Sequence, residues 1–197
     1  MTNYTIRPIR AEEINQVADI ISAGYYDDIF FHWVVEKGED RLQVVSDYYK
    51  VYLRARGCKA HVAQADTGEI VGASVWLPDD TDAGVYDEID QAAGPYAPNF
   101  RAVADMSHDR EPDVRPFYQL VGFAVNKDLQ GKGIGTALLK HCLDELDGRG
   151  IPTYLEASTP YFGKGVYGKF GYERYGELMV FSDTAVLYPC WRGAGGQ

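Results

Sequence analysis

The chain has 197 residues, 46% of them apolar and 24% charged, and 29 acids against 19 bases give a formal net charge of −10. That length and composition suit one domain with a full core and lie far from the low-hydrophobicity chains that stay disordered. The acidic balance argues against general affinity for nucleic acid or an anionic membrane, which need a basic surface.

The charge is unevenly placed. Residues 79–113 hold ten acids against Arg101 and Arg110, so one segment carries −8 of the −10. The opening Met-Thr-Asn-Tyr-Thr-Ile-Arg-Pro lacks the apolar stretch of a secretion signal, and no window approaches the roughly 18 apolar residues that span a bilayer; a cytoplasmic protein without membrane contact is expected. Cys58, Cys142 and Cys190 have no CxxC spacing, and His32, His61, His108 and His141 no HExxH spacing, so no metal site is expected.

Thr5 to Ile9 reads as a first strand. Ala11 to Gly24 then places Ile14, Val17, Ala18 and Ile21 on one helical face. The aromatic run Tyr25 to Trp33 follows, then a helix near 41–56 with Leu42, Val45, Tyr49 and Tyr52 facing inward. Residues 58–64 and 70–77 flank Asp66-Thr67-Gly68-Glu69 as a β-hairpin. The acidic segment, interrupted by Pro95, Pro98 and Pro112, predicts a partly helical excursion lying on the surface. Leu120 to Val125 is continuously apolar, as a central strand is. Thr136 to Asp147 reads as an amphipathic helix, Thr153 to Ala157 as a strand, Val166 to Phe170 as a short helix stopped by Gly171, and residues 177–181 and 185–191 as closing strands. The pattern predicts a single α/β (α+β) domain over 1–197.

The stretch richest in chemistry joins that central strand to the helix: Asn126-Lys127-Asp128-Leu129, then Gln130-Gly131-Lys132-Gly133-Ile134-Gly135-Thr136. Glycines at alternate positions let the backbone approach a ligand and aim successive N–H groups outward, and the helix adds its positive end. This suits a pyrophosphate. A Walker loop is excluded because Lys132 is followed by Gly133, and a Rossmann fingerprint because the spacing is GxGxG and lies past mid-chain.

Gln130 to Gly135 resembles the (Arg/Gln)-x-x-Gly-x-(Gly/Ala) coenzyme A loop of the GNAT superfamily of N-acetyltransferases. Phe123 to Gln130 is similar to their splayed fourth strand and its exit, and Tyr167 to Tyr172 to their later Tyr-x-x-x-Gly-(Phe/Tyr) segment. Ile6-Arg7-Pro8 is similar to their usual start, and Leu155-Glu156-Ala157-Ser158 looks most like the puromycin-acetyltransferase-like branch.

The resemblance implies a mixed, mostly antiparallel sheet of about six to seven strands, flanked by helices and splayed between strands 4 and 5. It implies acetyl-CoA as cosubstrate, its pyrophosphate on the amides of Gln130, Gly131, Lys132, Gly133, Ile134, Gly135 and Thr136, and its pantetheine arm beside Phe123, Ala124 and Val125. Tyr167 matches the family's general acid. The fourth-strand Glu of many relatives is replaced by Gln119, which leaves Glu156, Asp28, His32 and His108 as candidates for the base, Glu156 foremost. The Asn that often contacts the cofactor is absent, with Ser158 or Thr159 as substitutes, and Lys127, Lys132, Lys164 and Lys169 are candidates for the phosphates. The acceptor pocket is expected between the aromatic run and the acidic segment, with Tyr26, Asp28, Phe31 and His32 in its wall. Aromatic faces with carboxylates suit a small cationic amine, taken up by a monomer or homodimer. A protein N-terminus or lysine as acceptor, and a noncatalytic acyl-CoA sensor, are the alternatives.

Overall fold

The computed structural model describes residues 3–36, 38 and 40–196. In chain order these form β1 (Tyr4–Pro8), α1 (Ile14–Gly24), α2 (Ile29–Val34), α3 (Arg41–Arg54), β2 (Lys59–Ala65), β3 (Ile70–Pro78), α4 (Gly84–Ala93), α5 (Ala97–Arg110), β4 (Tyr118–Val125), α6 (Ile134–Asp147), β5 (Thr153–Ala157), β6 (Glu173–Arg174), β7 (Met179–Val180) and β8 (Val186–Arg192). One sheet runs β1-β2-β3-β4-β5-β8-β6, with β7 added on β8. Every pairing is antiparallel except β4 with β5.

Alternate strand residues serve two layers. Ala60, Val62, Ala73, Val75 and Ala124 pack with Val17, Ala18 and Ile21 of α1 and Val45 and Tyr49 of α3. Ala63, Ala65 and Val71 pack instead with Ile134 and Leu138 of α6, and Trp76, Leu120 and Leu155 with its Leu139, Leu143 and Leu146. The 3.6-residue period of both helices thus finds its sheet. Leu42, expected inside, is 45% exposed; it lies in the first turn of α3, where Arg41 is the residue buried.

β4 and β5 pair only over Tyr118 to Leu120, against Thr153 to Leu155. There the β3–β4 ladder shifts, Val75 facing Gly122 and Trp76 facing Leu120, so that Val121 is one residue too many. Such a bulge bends its strand. From Val121 onward β4 has no partner on the β5 side, whereas β5 stays paired with β8 along its length.

The acidic segment is not a surface excursion. It forms α4 and α5, which bury Val85, Ile89, Ala93 and Phe100 against the α1–α3 layer. Most of its acids face outward: Asp87, Glu88, Asp105, Asp109 and Asp113 are exposed, and Arg101 pairs with both Asp87 and Asp90.

Opposite the parting, Arg192 of β8 is buried and locked to Asp147 at the end of α6 by two hydrogen bonds of 2.7 and 2.6 Å, while its Nε donates to the Phe170 carbonyl. Arg192 holds the Asp147 carboxyl below its ordinary range. Removing one member of such a pair strands a charge. Asp147→Ala is therefore expected to lower stability by roughly 3 kcal/mol in urea denaturation; a loss within error would show that Arg192 needs no counterion.

Candidate active site

Two concavities meet where β4 leaves β5. One is a groove along the outer part of β4, lined by Gly24, Phe123, Ala124, Val125, the Gln130–Thr136 loop except Lys132, and Lys169. Its floor depends on close backbone approach, since a Cβ on Gly24 would stand 2.6 Å from Cβ of Ala124. The loop enters α6 through Gly131 and Gly133 at φ +74° and +85°, a left-handed region that costs other residues about 1–2 kcal/mol. That path has a consequence for hydrogen bonding. The six successive N–H groups of Gly131 to Thr136 make no hydrogen bond to the described residues, the next donor, Ala137, being the first to find an acceptor, on Gly133. Six unpaired donors at a helix N-terminus form an anion cradle. Lys132 folds back, its Nζ donating to the Asp128 carbonyl, Gln130 Nε2 donates to the Val125 carbonyl, Lys127 stands 3.8 Å from Asp27, and Lys164 is exposed.

The second concavity lies between the sheet, α3, α4 and α5, and holds about 1080 Å³ of empty space counted out to its open mouth. Its wall mixes rings, among them Phe31, Tyr48, Tyr49, Tyr52 and Phe100, with aliphatic groups and the polar side chains of Ser107, Gln119, Ser158 and Thr159, and Tyr167 and Tyr25 stand where it meets the groove. The tyrosine hydroxyls are mostly spent. Tyr49 donates to the Val121 carbonyl at 3.1 Å, Tyr25 accepts from the Phe123 amide at 3.2 Å, and Tyr48 donates to Tyr52 at 2.9 Å. The first two occupy the edge of β4 that β5 abandons.

One carboxylate on this wall is half-buried with no cation near it among the described residues. Glu156 accepts from Ser107 of α5 at 2.7 and 2.8 Å and from the Tyr154 hydroxyl at 3.2 Å. Burial pushes its carboxyl up to about 7, the two hydrogen bonds pull it down, and Glu111 nearby pushes it up again. Tyr167, sunk between Phe123 and Tyr172, has a hydroxyl with no hydrogen-bond partner among the described residues. Burial lifts it well above 10, so it stays protonated.

Of the residues expected in the acceptor wall, Phe31 lines the cavity. Asp28 caps α2, accepting from the amides of Phe30 and Phe31, and its other oxygen accepts from Ser158 at 2.6 Å. Tyr26 is not on the wall; its ring lies under the Arg41 guanidinium. His32 and His108 are exposed and away from the wall, which Ser158 and Thr159 do line. Sequence reasoning missed Ser107, Glu111, Tyr48 and Tyr25 as wall residues, although Tyr25 lies in the aromatic run and Ser107 and Glu111 lie in the acidic segment that it had set beside the pocket.

The Acetyltransferase (GNAT) family model matches residues 22–172. The chain belongs to the GNAT family of acetyltransferases. Among solved structures, one from Corynebacterium glutamicum, described as histone acetyltransferase HPA2 and related acetyltransferase, has a TM-score of 0.71 at 20% identity, covering 99% of this chain and 98% of that one. Arylalkylamine N-acetyltransferase 2 from Aedes aegypti gives 0.66 at 14%, covering 98% and 100%. Drosophila melanogaster polyamine N-acetyltransferase gives 0.65 at 14%, covering 97% and 100%. At such identities the likeness is one of fold. No curated protein matches the sequence significantly.

GNAT enzymes use acetyl-CoA as cosubstrate, and the residues of the groove fit it: an amide cradle for a pyrophosphate beside an open strand edge for an amide-bearing arm. Gly133→Ala, which strains the cradle without touching the core, is expected to weaken acetyl-CoA binding about tenfold by calorimetry while the melting temperature falls by only about 2–8 °C. Unchanged affinity would mean that the cradle is not used.

Proposed function

We propose that this GNAT acetyltransferase moves the acetyl group of acetyl-CoA directly to the primary amine of a small cationic molecule, with Glu156 as base and Tyr167 as acid. The observation that carries the reading is the half-buried Glu156 carboxylate, without a cation among the described residues, on the cavity wall beside the open strand edge. It supplies what Gln119 cannot. A carboxyl titrating near 7 is ionised in a useful fraction at neutral pH, and taking a proton from an ammonium near pKa 10 then costs about 4 kcal/mol. That fits within the roughly 16 kcal/mol barrier of an enzyme turning over about ten times per second.

As the amine nitrogen bonds to the acetyl carbon, charge moves to the thioester oxygen, where an N–H on the β4 edge can receive it. The carbon–sulfur bond then breaks and Tyr167 gives its proton to sulfur. A phenol is a weaker acid than a thiol near 8.5, but the same burial that raises Tyr167 also raises a thiolate beside it, so the transfer stays modest in cost.

A free small molecule as acceptor is supported by α4 and α5, which roof the cavity where a polypeptide would need an open trough. Structures of arylalkylamine and polyamine N-acetyltransferases among the fold relatives accord with an amine acceptor. So does the likeness of residues 155–158 to the puromycin-acetyltransferase-like branch.

In steady-state assays of thiol release, kcat/KM is expected to rise with pH through a limb near 7 that Glu156→Gln removes. Ser107→Ala, which withdraws a hydrogen bond favouring the ionised carboxylate, should move that limb to higher pH. A limb unmoved in Glu156→Gln would take the base role from this residue. Tyr167→Phe should lower kcat by about 100-fold and leave acetyl-CoA affinity unchanged; unaltered turnover would remove its acid role.

A further inference from the structure

Two phenol protons stand unspent where groove and cavity meet. One is that of Tyr167, proposed above for the departing sulfur. The other belongs to Tyr25, whose oxygen is occupied while its proton is not. The Phe123 N–H donates to that oxygen at 3.2 Å, and the Tyr49 hydroxyl, which donates to the Val121 carbonyl at 3.1 Å, touches it as well. The contact favours the ionised form of Tyr25 and the neutral form of Tyr49, which are the two effects of Tyr49 acting as donor. Two donors fill the lone pairs of a phenol oxygen and leave its own O–H to find an acceptor. No described residue supplies one: Asp28, whose charge bears on Tyr25, accepts from Phe30, Phe31 and Ser158 instead.

This hydroxyl is also held in place. Tyr25 closes α1, its N–H shared between the carbonyls of Ile21 and Ser22, and its ring stacks on Phe31 at 4.8 Å and on Tyr49 at 5.9 Å between centroids. Burial pushes Tyr25 up to about 12, so the proton stays on at neutral pH. Donors into an O–H polarise it and make it the stronger donor in turn. A donor fixed before the reaction begins costs nothing to reorganise when charge develops in front of it. In a thioester lying along the groove and attacked from the cavity, charge develops on two atoms, first oxygen and then sulfur. Tyr25, anchored to the Phe123 N–H, borders both concavities at that point.

We propose that Tyr25 is a further catalytic residue, its O–H donating a hydrogen bond to the thioester oxygen alongside an N–H of the β4 edge. As the amine nitrogen bonds to the carbonyl carbon, the π pair moves to oxygen and is met by that O–H, which keeps its proton. When the pair returns and the carbon–sulfur bond breaks, the proton on sulfur comes from Tyr167, and Glu156 holds the one taken from the amine. This deepens the transfer reading above and rests on it. The test uses the whole protein with acetyl-CoA bound and no amine, reading the thioester carbonyl stretch by infrared difference between carbonyl-labelled and unlabelled acetyl-CoA. The stretch is expected at lower wavenumber in wild type than in Tyr25→Phe. With a difluorotyrosine in place of Tyr25, which keeps the ring and its contacts but acidifies the phenol, it should lie lower still; this second variant decides the matter if Tyr25→Phe, with the Phe123 N–H unpaired, fails to fold. In thiol release with propylamine, spermidine and 2-phenylethylamine as probes, Tyr25→Phe should lower kcat about 100-fold while the pH limb near 7 stays in place. A carbonyl stretch that neither variant moves, or a kcat unchanged in Tyr25→Phe, would overturn the role of Tyr25 and leave amine transfer standing. No thiol release by wild type with any of the three amines, while acetyl-CoA still binds, would overturn the transfer reading and this role with it.

Discussion

The single extra residue in β4 governs the rest of the site. Up to Leu120 the strand lies in an ordinary ladder with β5; at Val121 the ladder with β3 takes in one residue too many, and the strand turns away. Backbone polar groups left without partners inside a protein are costly, so a parting of two central strands has to be filled. Tyr49 from α3 and Tyr25 from the end of α1 fill it with hydroxyls, one on the Val121 carbonyl and one on the Phe123 amide. Those same rings then become cavity wall, and the unpaired outer length of β4 becomes groove floor. One irregularity thus makes two concavities that share an edge, which is the arrangement a transfer between two bound molecules requires.

Charge follows the same geometry. The sequence carries most of its −10 between β3 and β4, beside the site, which invites the idea of an acidic lure for a cation. The helices formed there turn their apolar side inward and their acids outward, as an amphipathic helix on a core does. What remains inside is Glu111, already paired with Arg115, and Glu156, which comes from β5 and not from the acidic segment. A solvated carboxylate on the far face of α4 acts on a bound cation through high dielectric and salt, whereas a buried one acts at close range and weakly screened. On the proposed reading, the one half-buried acid therefore outweighs several on the surface.

Much of this was legible in the sequence, for physical reasons that can be named. The cradle before α6 is local: alternate glycines, a preceding apolar strand and a following amphipathic helix lie within one stretch, so pattern alone locates it. Strand β4 was legible from its apolar run for the same reason. The cavity was not, because its wall is assembled from α2, α3, α4, α5, β4 and β5, and no periodicity reports which faces of distant helices meet. Ser107 shows the limit: a serine in the last turn of a polar helix carries no mark, and its importance exists only once α5 lies over β5. Leu42 shows the converse, an apolar residue in correct phase with Val45 and Tyr49 that sits one turn beyond the edge of the core.

Two carboxylates near the parting, Asp28 and Glu156, are candidates for proton transfer by residue type, Glu156 being foremost from its place in the fifth strand. Their surroundings separate them. Asp28 gives one oxygen to the N-terminal amides of α2 and the other to Ser158, joining the loop after α1 to the loop after β5. The buried guanidinium of Arg41, which donates to the backbone carbonyls of Val35 and Asp28, contributes its positive field from behind. Both Asp28 oxygens are therefore occupied by donors whose loss would free α2 and open the wall. Glu156 accepts only from hydroxyls and has neither an amide nor a cation to fix its charge, so binding a proton costs it little. A carboxylate spent on holding structure makes a poor base, and one left poised between its two protonation states makes a good one.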